Sequence, residues 1–93
     1  MVKIYKLLDP KTKEIKYIGK TINSLETRLI GHMTQLILSN PRFSEKNEWI
    51  SSLLKEGYCP IIELIELVNE KQSKEKEKYW INYYRIKIVQ YLS

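Results

Sequence analysis

Apolar residues fall into separate stretches along this chain, and their spacing indicates which secondary structure each stretch forms. Residues 2 to 8 and 14 to 20 are rich in Ile, Tyr, Val and Leu, which are typical of strands. Asp9 and Pro10 between them favour a turn, because Asp bonds to nearby backbone and Pro fixes φ at the first corner. The pattern therefore predicts a β-hairpin.

A helix is predicted after the hairpin. Asn23 and Glu26 have the spacing of a capping box, and the apolar residues that follow recur every three or four positions, which predicts a helix over about 24 to 38. Its apolar stripe consists of Leu25, Leu29, Met33 and Leu36. Asn40-Pro41 should end this helix.

A second helix is predicted after Ser44, which can cap it. Its apolar face consists of Trp49, Ile50, Leu53 and Leu54. The helix should end near Glu56, because Gly57 suits the left-handed position that follows a helix.

A third strand and a last helix complete the pattern. The nearly continuous apolar stretch from Pro60 to Val68 predicts a strand that is at least partly covered on both sides. Asn69, with Gln72 three residues later, offers another cap before a charged helix that runs through Tyr84. The order is ββααβα, which predicts an α/β (α+β) fold: a small, mainly antiparallel three-stranded sheet flanked by helices.

Length and composition favour one domain over residues 1–93, since a chain of 93 residues can bury one core but little more. No apolar run is long enough to cross a bilayer. The N-terminus enters a strand pattern without a signal peptide, so we expect a cytoplasmic protein with no membrane partner. Cys59 is the only cysteine, which excludes an intramolecular disulfide and a cysteine metal cluster; we expect it to be a small buried filler.

The formal net charge of +5 favours a polyanionic partner and makes nucleic acid the first candidate. Charge alone identifies neither the nucleic acid nor a site on the protein. A positioned set of side chains has to supply that evidence.

The predicted hairpin carries two tyrosines. Because side chains alternate along a strand, Lys3, Tyr5 and Leu7 should share one face of the first strand. On the second strand, Ile15, Tyr17 and Gly19 should share one face. Depending on the register, both tyrosines face the same side, where Gly19 would leave room for a backbone or a phosphate. Packing is the competing interpretation, because tyrosine is a favoured strand residue.

Two helices carry further candidates. Arg28 and His32 are four residues apart, so they are neighbours beside the apolar stripe of the first helix. Glu77 lies on the apolar stripe of the last helix, which also contains Trp80, Ile81 and Tyr84. A carboxylate in such a place needs a cation, a metal or hydrogen-bond donors; a structural salt bridge is the competing interpretation.

In their order along the chain, these motifs resemble those of the GIY-YIG nuclease family, whose members include homing endonucleases and some restriction enzymes. The resemblance covers nearly the whole chain and is carried by Lys3-Ile4-Tyr5, Tyr17-Ile18-Gly19, Thr27-Arg28 with His32, and Glu77-Lys78-Tyr79-Trp80-Ile81. Lys3 replaces the usual glycine. A histidine that some members use between the first two helices has no evident counterpart here, and the late asparagine of many members is not securely identified.

The resemblance implies a metal-dependent endonuclease that hydrolyses DNA phosphodiester bonds. It implies that Glu77 holds one divalent cation, Mg²⁺ or Mn²⁺, and that Arg28 stabilises charge on the phosphate. Tyr5 or Tyr17 would orient or deprotonate the water, and this needs a nearby cation to lower the pKa of the phenol.

Several residues have secondary roles in this interpretation. Lys20 is the first candidate for the cation beside the tyrosines and Lys16 the second, and His32 is a candidate proton relay. The basic residues expected to contact nucleic acid are Lys3, Lys16, Lys20 and Arg28.

Two other interpretations stay open. The first is a nucleic-acid-binding module of the same fold that cuts poorly or not at all. The second is a protein-interaction domain that uses the aromatic cluster of the last helix, namely Tyr79, Trp80, Tyr83 and Tyr84. Target selection would require the domain itself, a homodimer or a separate DNA-targeting partner, and RNA is a further substrate to test.

Overall fold

The computed structural model of the protein describes residues 1–38 and 45–84, with side chains described for 1–34 and 45–84. Its elements are β1 (Val2–Leu8), β2 (Ile15–Thr21), α1 (Leu25–Leu38), α2 (Glu45–Lys55), β3 (Ile61–Val68) and α3 (Ser73–Tyr84), with a 3₁₀ turn at Glu70–Gln72. The predicted order ββααβα is confirmed. The predicted stop at Asn40-Pro41, the cap at Ser44 and the side chain of Leu36 lie outside the described residues.

The three strands form one antiparallel sheet in the order β2-β1-β3, which confirms the predicted fold class. The pairing shifts at Leu7/Leu8 against β2 and at Ile4/Tyr5 against β3, so each outer strand carries a bulge. The first bulge moves Ile15 to the face opposite Tyr17, where it packs against Ile4 and Ile18. The prediction that Ile15 shares a face with Tyr17 is therefore wrong, because strict alternation ignores the bulge.

Each face of the sheet has its own core. On the apolar face, α3 covers a cluster of Val2, Ile4, Ile18 and Val68, against which Ile15, Ile65, Trp80, Ile81 and Tyr84 pack. On the tyrosine face, α1 and α2 cover a cluster of Tyr5, Leu7, Tyr17 and Ile50, against which Leu25, Leu29, Met33, Trp49 and Ile62 pack. Leu54 is 41% exposed, so it does not belong to the buried face of α2 as predicted.

The hairpin turn is tied to α2 through Asp9. The Asp9 carboxylate accepts hydrogen bonds from the Lys11 backbone at 2.8 Å and from the Trp49 indole at 3.2 Å. Burial alone would raise the pKa of this carboxyl, but the hydrogen bonds lower it below its ordinary value. A residue expected only to form a turn therefore also positions a helix.

The helix caps in the structure agree only in part with those predicted from the sequence. Ser24 caps α1, since its Oγ accepts from the Thr27 backbone at 3.1 Å; the predicted cap, Asn23, is wrong by one residue. Gly57 has φ of 84° as predicted. Asn69 accepts from the Gln72 backbone at 2.9 Å, but this cap begins the 3₁₀ turn that precedes α3.

Two further findings concern the surface. Cys59 is exposed, which corrects the expectation of a buried filler. The side of β3 near Leu64 and Leu67 is also open, with those residues 45% and 50% exposed, so this strand is less covered than predicted. None of the described helices has the length and apolar content needed to span a membrane.

Candidate active site

The hairpin brings two phenols together on the tyrosine face. Tyr5 pairs with Gly19 and Leu7 pairs with Tyr17, so the tyrosines lie diagonally across the two strands. Their ring centroids are 6.3 Å apart, and both rings are buried. The register therefore gives the arrangement in which the two tyrosines share a face.

Gly19 provides the space that the phenols occupy. A Cβ at this position would lie 2.5 Å from the Tyr5 hydroxyl oxygen and 2.8 Å from a ring carbon of Tyr17. The expectation that Gly19 leaves room for a backbone or a phosphate is corrected, because the Tyr5 side chain fills that space. A larger residue would displace the phenol.

Helix α1 contributes two groups that bond to the same phenol. Arg28 Nε donates to the Tyr5 oxygen at 3.1 Å, and the Tyr5 oxygen lies 2.7 Å from His32 Nε2. Because a guanidinium can only donate, the hydroxyl hydrogen of Tyr5 is free to point at His32. In the tautomer that carries its proton on Nδ1, His32 Nε2 accepts from this hydroxyl. Within the described residues, Nδ1 has no hydrogen-bond partner.

Burial sets the protonation states of this chain of hydrogen bonds. Burial lowers the pKa of His32 to about 3, and the charges of Lys46 and Arg28 add to that effect. Burial also raises the pKa of Tyr5, and the nearby Tyr17 adds to it, while the bond from Arg28 opposes it. Near neutral pH, Tyr5 is therefore a phenol and His32 a neutral imidazole, so the lowered phenol pKa expected at this site is not found at Tyr5 in the unbound protein.

Lys46 was missed by the sequence analysis. Its ammonium lies 5.2 Å from the centroid of the Tyr17 ring, and the residue is only 3% exposed. A signal for this burial exists in the sequence, since Ile50 and Leu53 follow at four and seven positions and place Lys46 on the apolar stripe of α2.

Glu77 approaches the same site from α3. Its negative charge is the smallest of the contributions to the raised pKa of Tyr5, so the carboxylate is within electrostatic range of that phenol. Burial raises the pKa of Glu77 itself, while the positive charge of Lys20 opposes this. Among the described residues, Glu77 forms no ion pair, so no described salt bridge accounts for its half-buried position.

The other predicted basic residues have different surroundings. Lys20 is exposed, and its positive charge opposes the rise in the pKa of Glu77. Lys16 pairs with Glu14 at 2.8 Å, and Lys3 is half-buried. The structure thus brings Arg28, not Lys16, into contact with the tyrosines.

A single carboxylate can serve as the protein ligand of one hard cation. No group of three His, Cys, Asp or Glu side chains in the described residues could hold a metal by itself. Mg²⁺ often takes one or two carboxylates and fills its other positions with water and substrate phosphate. Glu77, half-buried and without an ion-pair partner in the described part of the chain, fits that mode of binding.

A comparison with known protein families identifies the family of the chain. The family model of the GIY-YIG catalytic domain matches residues 1–88, a range that includes every described strand and helix. The chain belongs to the GIY-YIG family. This family consists of nuclease domains, so the resemblance drawn from the motifs is confirmed at the level of the family. No curated protein and no solved structure matches the chain.

Proposed function

We propose that this GIY-YIG domain is an endonuclease that hydrolyses DNA phosphodiester bonds with the help of one divalent cation. The observation that carries the proposal is the hydrogen-bonded chain from Arg28 through Tyr5 to His32. It joins a group that can stabilise phosphate charge to a proton path that ends on a neutral imidazole. Purely structural packing does not require such a path.

The first step is a change of partner at Tyr5. In the unbound protein Tyr5 is fully buried and its oxygen accepts a hydrogen bond from Arg28. An entering phosphate attracts the guanidinium, because Arg matches phosphate oxygens with several donors. A water molecule can then take the place of Arg28 on the Tyr5 oxygen.

Proton transfer follows along the chain of hydrogen bonds. The water gives a proton to the Tyr5 oxygen while the Tyr5 hydroxyl proton moves to His32 Nε2, so the phenol stays neutral and the imidazole becomes charged. The hydroxide forms a bond to phosphorus, and the bond from phosphorus to the departing sugar oxygen breaks. That oxygen takes a proton from solvent, and His32 later returns its proton to solvent through Tyr5. The relay avoids a free phenolate, which the raised pKa of Tyr5 disfavours.

Arg28 and Glu77 support this reaction electrostatically. Arg28 stabilises the negative charge that grows on the phosphate oxygens. Glu77 is the residue that would hold a divalent cation, with Mg²⁺ or Mn²⁺ as candidates, and such an ion would stabilise charge on the phosphate and on the departing oxygen. The net charge of +5 favours binding of the DNA backbone, with Lys3 and Lys20 as candidate contacts.

The test is cleavage of supercoiled DNA by the purified protein with Mg²⁺ and with EDTA. We expect nicks only with Mg²⁺, and a loss of about 100-fold or more in Glu77→Gln and in Arg28→Ala. Glu75→Gln is the matched control, because Glu75 is an exposed carboxylate on the same helix. An RNA of the same sequence shows whether cleavage is limited to DNA.

The same experiment distinguishes the alternatives. Salt-sensitive DNA binding without metal-dependent nicks indicates a binding module and overturns the proposal. Cleavage that is unchanged in both Glu77→Gln and Arg28→Ala also overturns it, since the reaction would then belong to another site or to a contaminant.

A further inference from the structure

Lys46 lies in the active site without an acidic partner. Its side chain is almost fully buried. All eleven acidic residues of the chain lie within the described parts, and none of them is in ion-pair contact with Lys46. Buried charges in proteins are normally paired, so this lysine carries an energetic cost that packing alone does not explain.

The contacts of Lys46 connect it to His32 through the Tyr17 ring. Its ammonium lies 5.2 Å from the centroid of the Tyr17 ring, within the range of a cation–π interaction. Tyr17 in turn packs edge-on against His32, with ring centroids 5.3 Å apart. A cation at this point therefore fixes one phenol and acts on the imidazole beside it.

We infer that Lys46 is a positioning residue of the active site, which holds the Tyr17 ring and, in addition to the effect of burial, lowers the proton affinity of the His32 imidazole that packs against that ring. The role of this effect in catalysis rests on the proposed function. The effect of Lys46 on His32 does not, because it is a property of the protein without DNA or metal.

The charged and titratable groups around His32 give the effect a definite sign. Tyr5 faces it from β1, Tyr17 from β2, Arg28 from its own helix and Lys46 from α2, while Glu77 on α3 acts on Tyr5. The two cations of this set both disfavour a protonated imidazole. Removing one of them must make His32 easier to protonate.

A phosphate supplies the opposite change. A phosphate anion beside Arg28 offsets positive charge in the pocket and raises the proton affinity of His32. The imidazole is then unprotonated before DNA binds, and it becomes a better proton acceptor once DNA is bound. Lys46 thus adds to the effect of burial, which keeps the imidazole unprotonated in the absence of substrate.

The direct test is an NMR titration of His32 in protein free of DNA and metal. We expect Lys46→Met to raise the pKa of His32 by about one unit or more, because burial still opposes protonation but one cation is gone. Lys46→Arg keeps the charge and should leave His32 as in the wild type. Lys55→Met is the matched control, since Lys55 is an exposed lysine at the end of the same helix.

The second readout is the pH profile of Mg²⁺-dependent cleavage. When His32 is protonated it cannot take the proton of Tyr5, so activity falls on the acid side. We expect this acid limb to move to higher pH in Lys46→Met by about the same amount as the pKa of His32, with rescue in Lys46→Arg. A merely structural role of Lys46 would lower activity at all pH values alike.

The outcomes separate this inference from the proposed function. An unchanged His32 titration in folded Lys46→Met overturns the inference, whatever the cleavage result. A shifted titration without any cleavage by the wild type supports the inference about His32 and overturns the proposed function. If Lys46→Met does not fold, the wild type decides: Tyr17 and His32 signals should shift together as Lys46 loses its proton near pH 8, and their constancy overturns the inference.

Discussion

The two faces of the sheet are built from the same strands but use different chemistry. The apolar face packs aliphatic side chains such as Ile4 against α3, whereas the tyrosine face buries Tyr5, His32 and Lys46 under α1 and α2. Desolvation shifts the pKa values of all three polar groups on the tyrosine face. The apolar face therefore contributes stability, whereas burial of polar groups on the tyrosine face reduces it, as expected at a functional site.

The largest difference between the faces should appear when one oxygen is removed. Tyr5→Phe keeps the ring and its packing but breaks the bonds to Arg28 and His32. We expect cleavage to fall about 1,000-fold, while the free energy of unfolding falls by only about 1–2 kcal/mol. Single-turnover kinetics and urea denaturation measure the two effects. Tyr79→Phe is the control, because Tyr79 is exposed, and a similar loss in both variants would contradict the relay.

The opposite result is expected on the apolar face. Ile4→Ala removes a fully buried side chain from the central strand, and we expect it to lower the free energy of unfolding by about 3 kcal/mol. Cleavage per folded molecule should change much less than in Tyr5→Phe. Leu67→Ala is the matched control, since that side chain is half exposed. Equal losses of stability in both variants would show that the buried cluster is not the main source of stability.

Acid should destabilise the tyrosine face through His32. Its pKa is lowered to about 3 from 6.5, so the unfolded chain binds a proton at a higher pH than the folded protein does. The stability that the buried neutral His32 contributes is fully present above pH 6.5. It is lost as the pH falls toward 3, and the free energy of unfolding then decreases by an amount on the order of a few kcal/mol. Denaturant unfolding at several pH values measures it. His32→Gln should flatten this part of the pH dependence, and an unchanged slope would contradict the lowered pKa.

The smallest effect is expected at Gly19. A methyl group in Gly19→Ala meets the Tyr5 hydroxyl and the Tyr17 ring, so the phenols must move. We expect a loss of about 1–2 kcal/mol in stability and about tenfold in cleavage. Gly57→Ala tests the other use of glycine, because that position has φ of 84° but nothing within 4 Å. It should cost stability without a change in cleavage per folded molecule.

The sequence predicted most of the fold because its signals are local. Alternation in the strands, the turn at Asp9-Pro10 and the cap at Asn69 each depend on a few neighbouring residues. Errors arose where local rules compete, as at Ile15, where a bulge changes the side of the strand, and at Ser24, which caps α1 in place of its neighbour.

The candidate site was predictable only in part. The order of the motifs was enough to select Tyr5, Arg28 and Glu77, whereas the hydrogen bond from Tyr5 to His32 depends on how α1 crosses the sheet. Lys46 belongs to a different helix and matches none of the motifs, so only the packing of α2 reveals it. Its place on an apolar stripe was the available signal.

The bond between the Asp9 carboxylate and the Trp49 indole joins the first loop of the chain to the helix that carries Lys46. Replacing Asp9 by Asn would keep a short polar side chain in the loop. It would remove the negative charge that strengthens the hydrogen bond from the Trp49 indole. A residue outside the candidate site thus helps to hold that helix in place. Sequence drift in this loop would therefore reach the imidazole of His32 through that helix, without changing any residue of the proposed site.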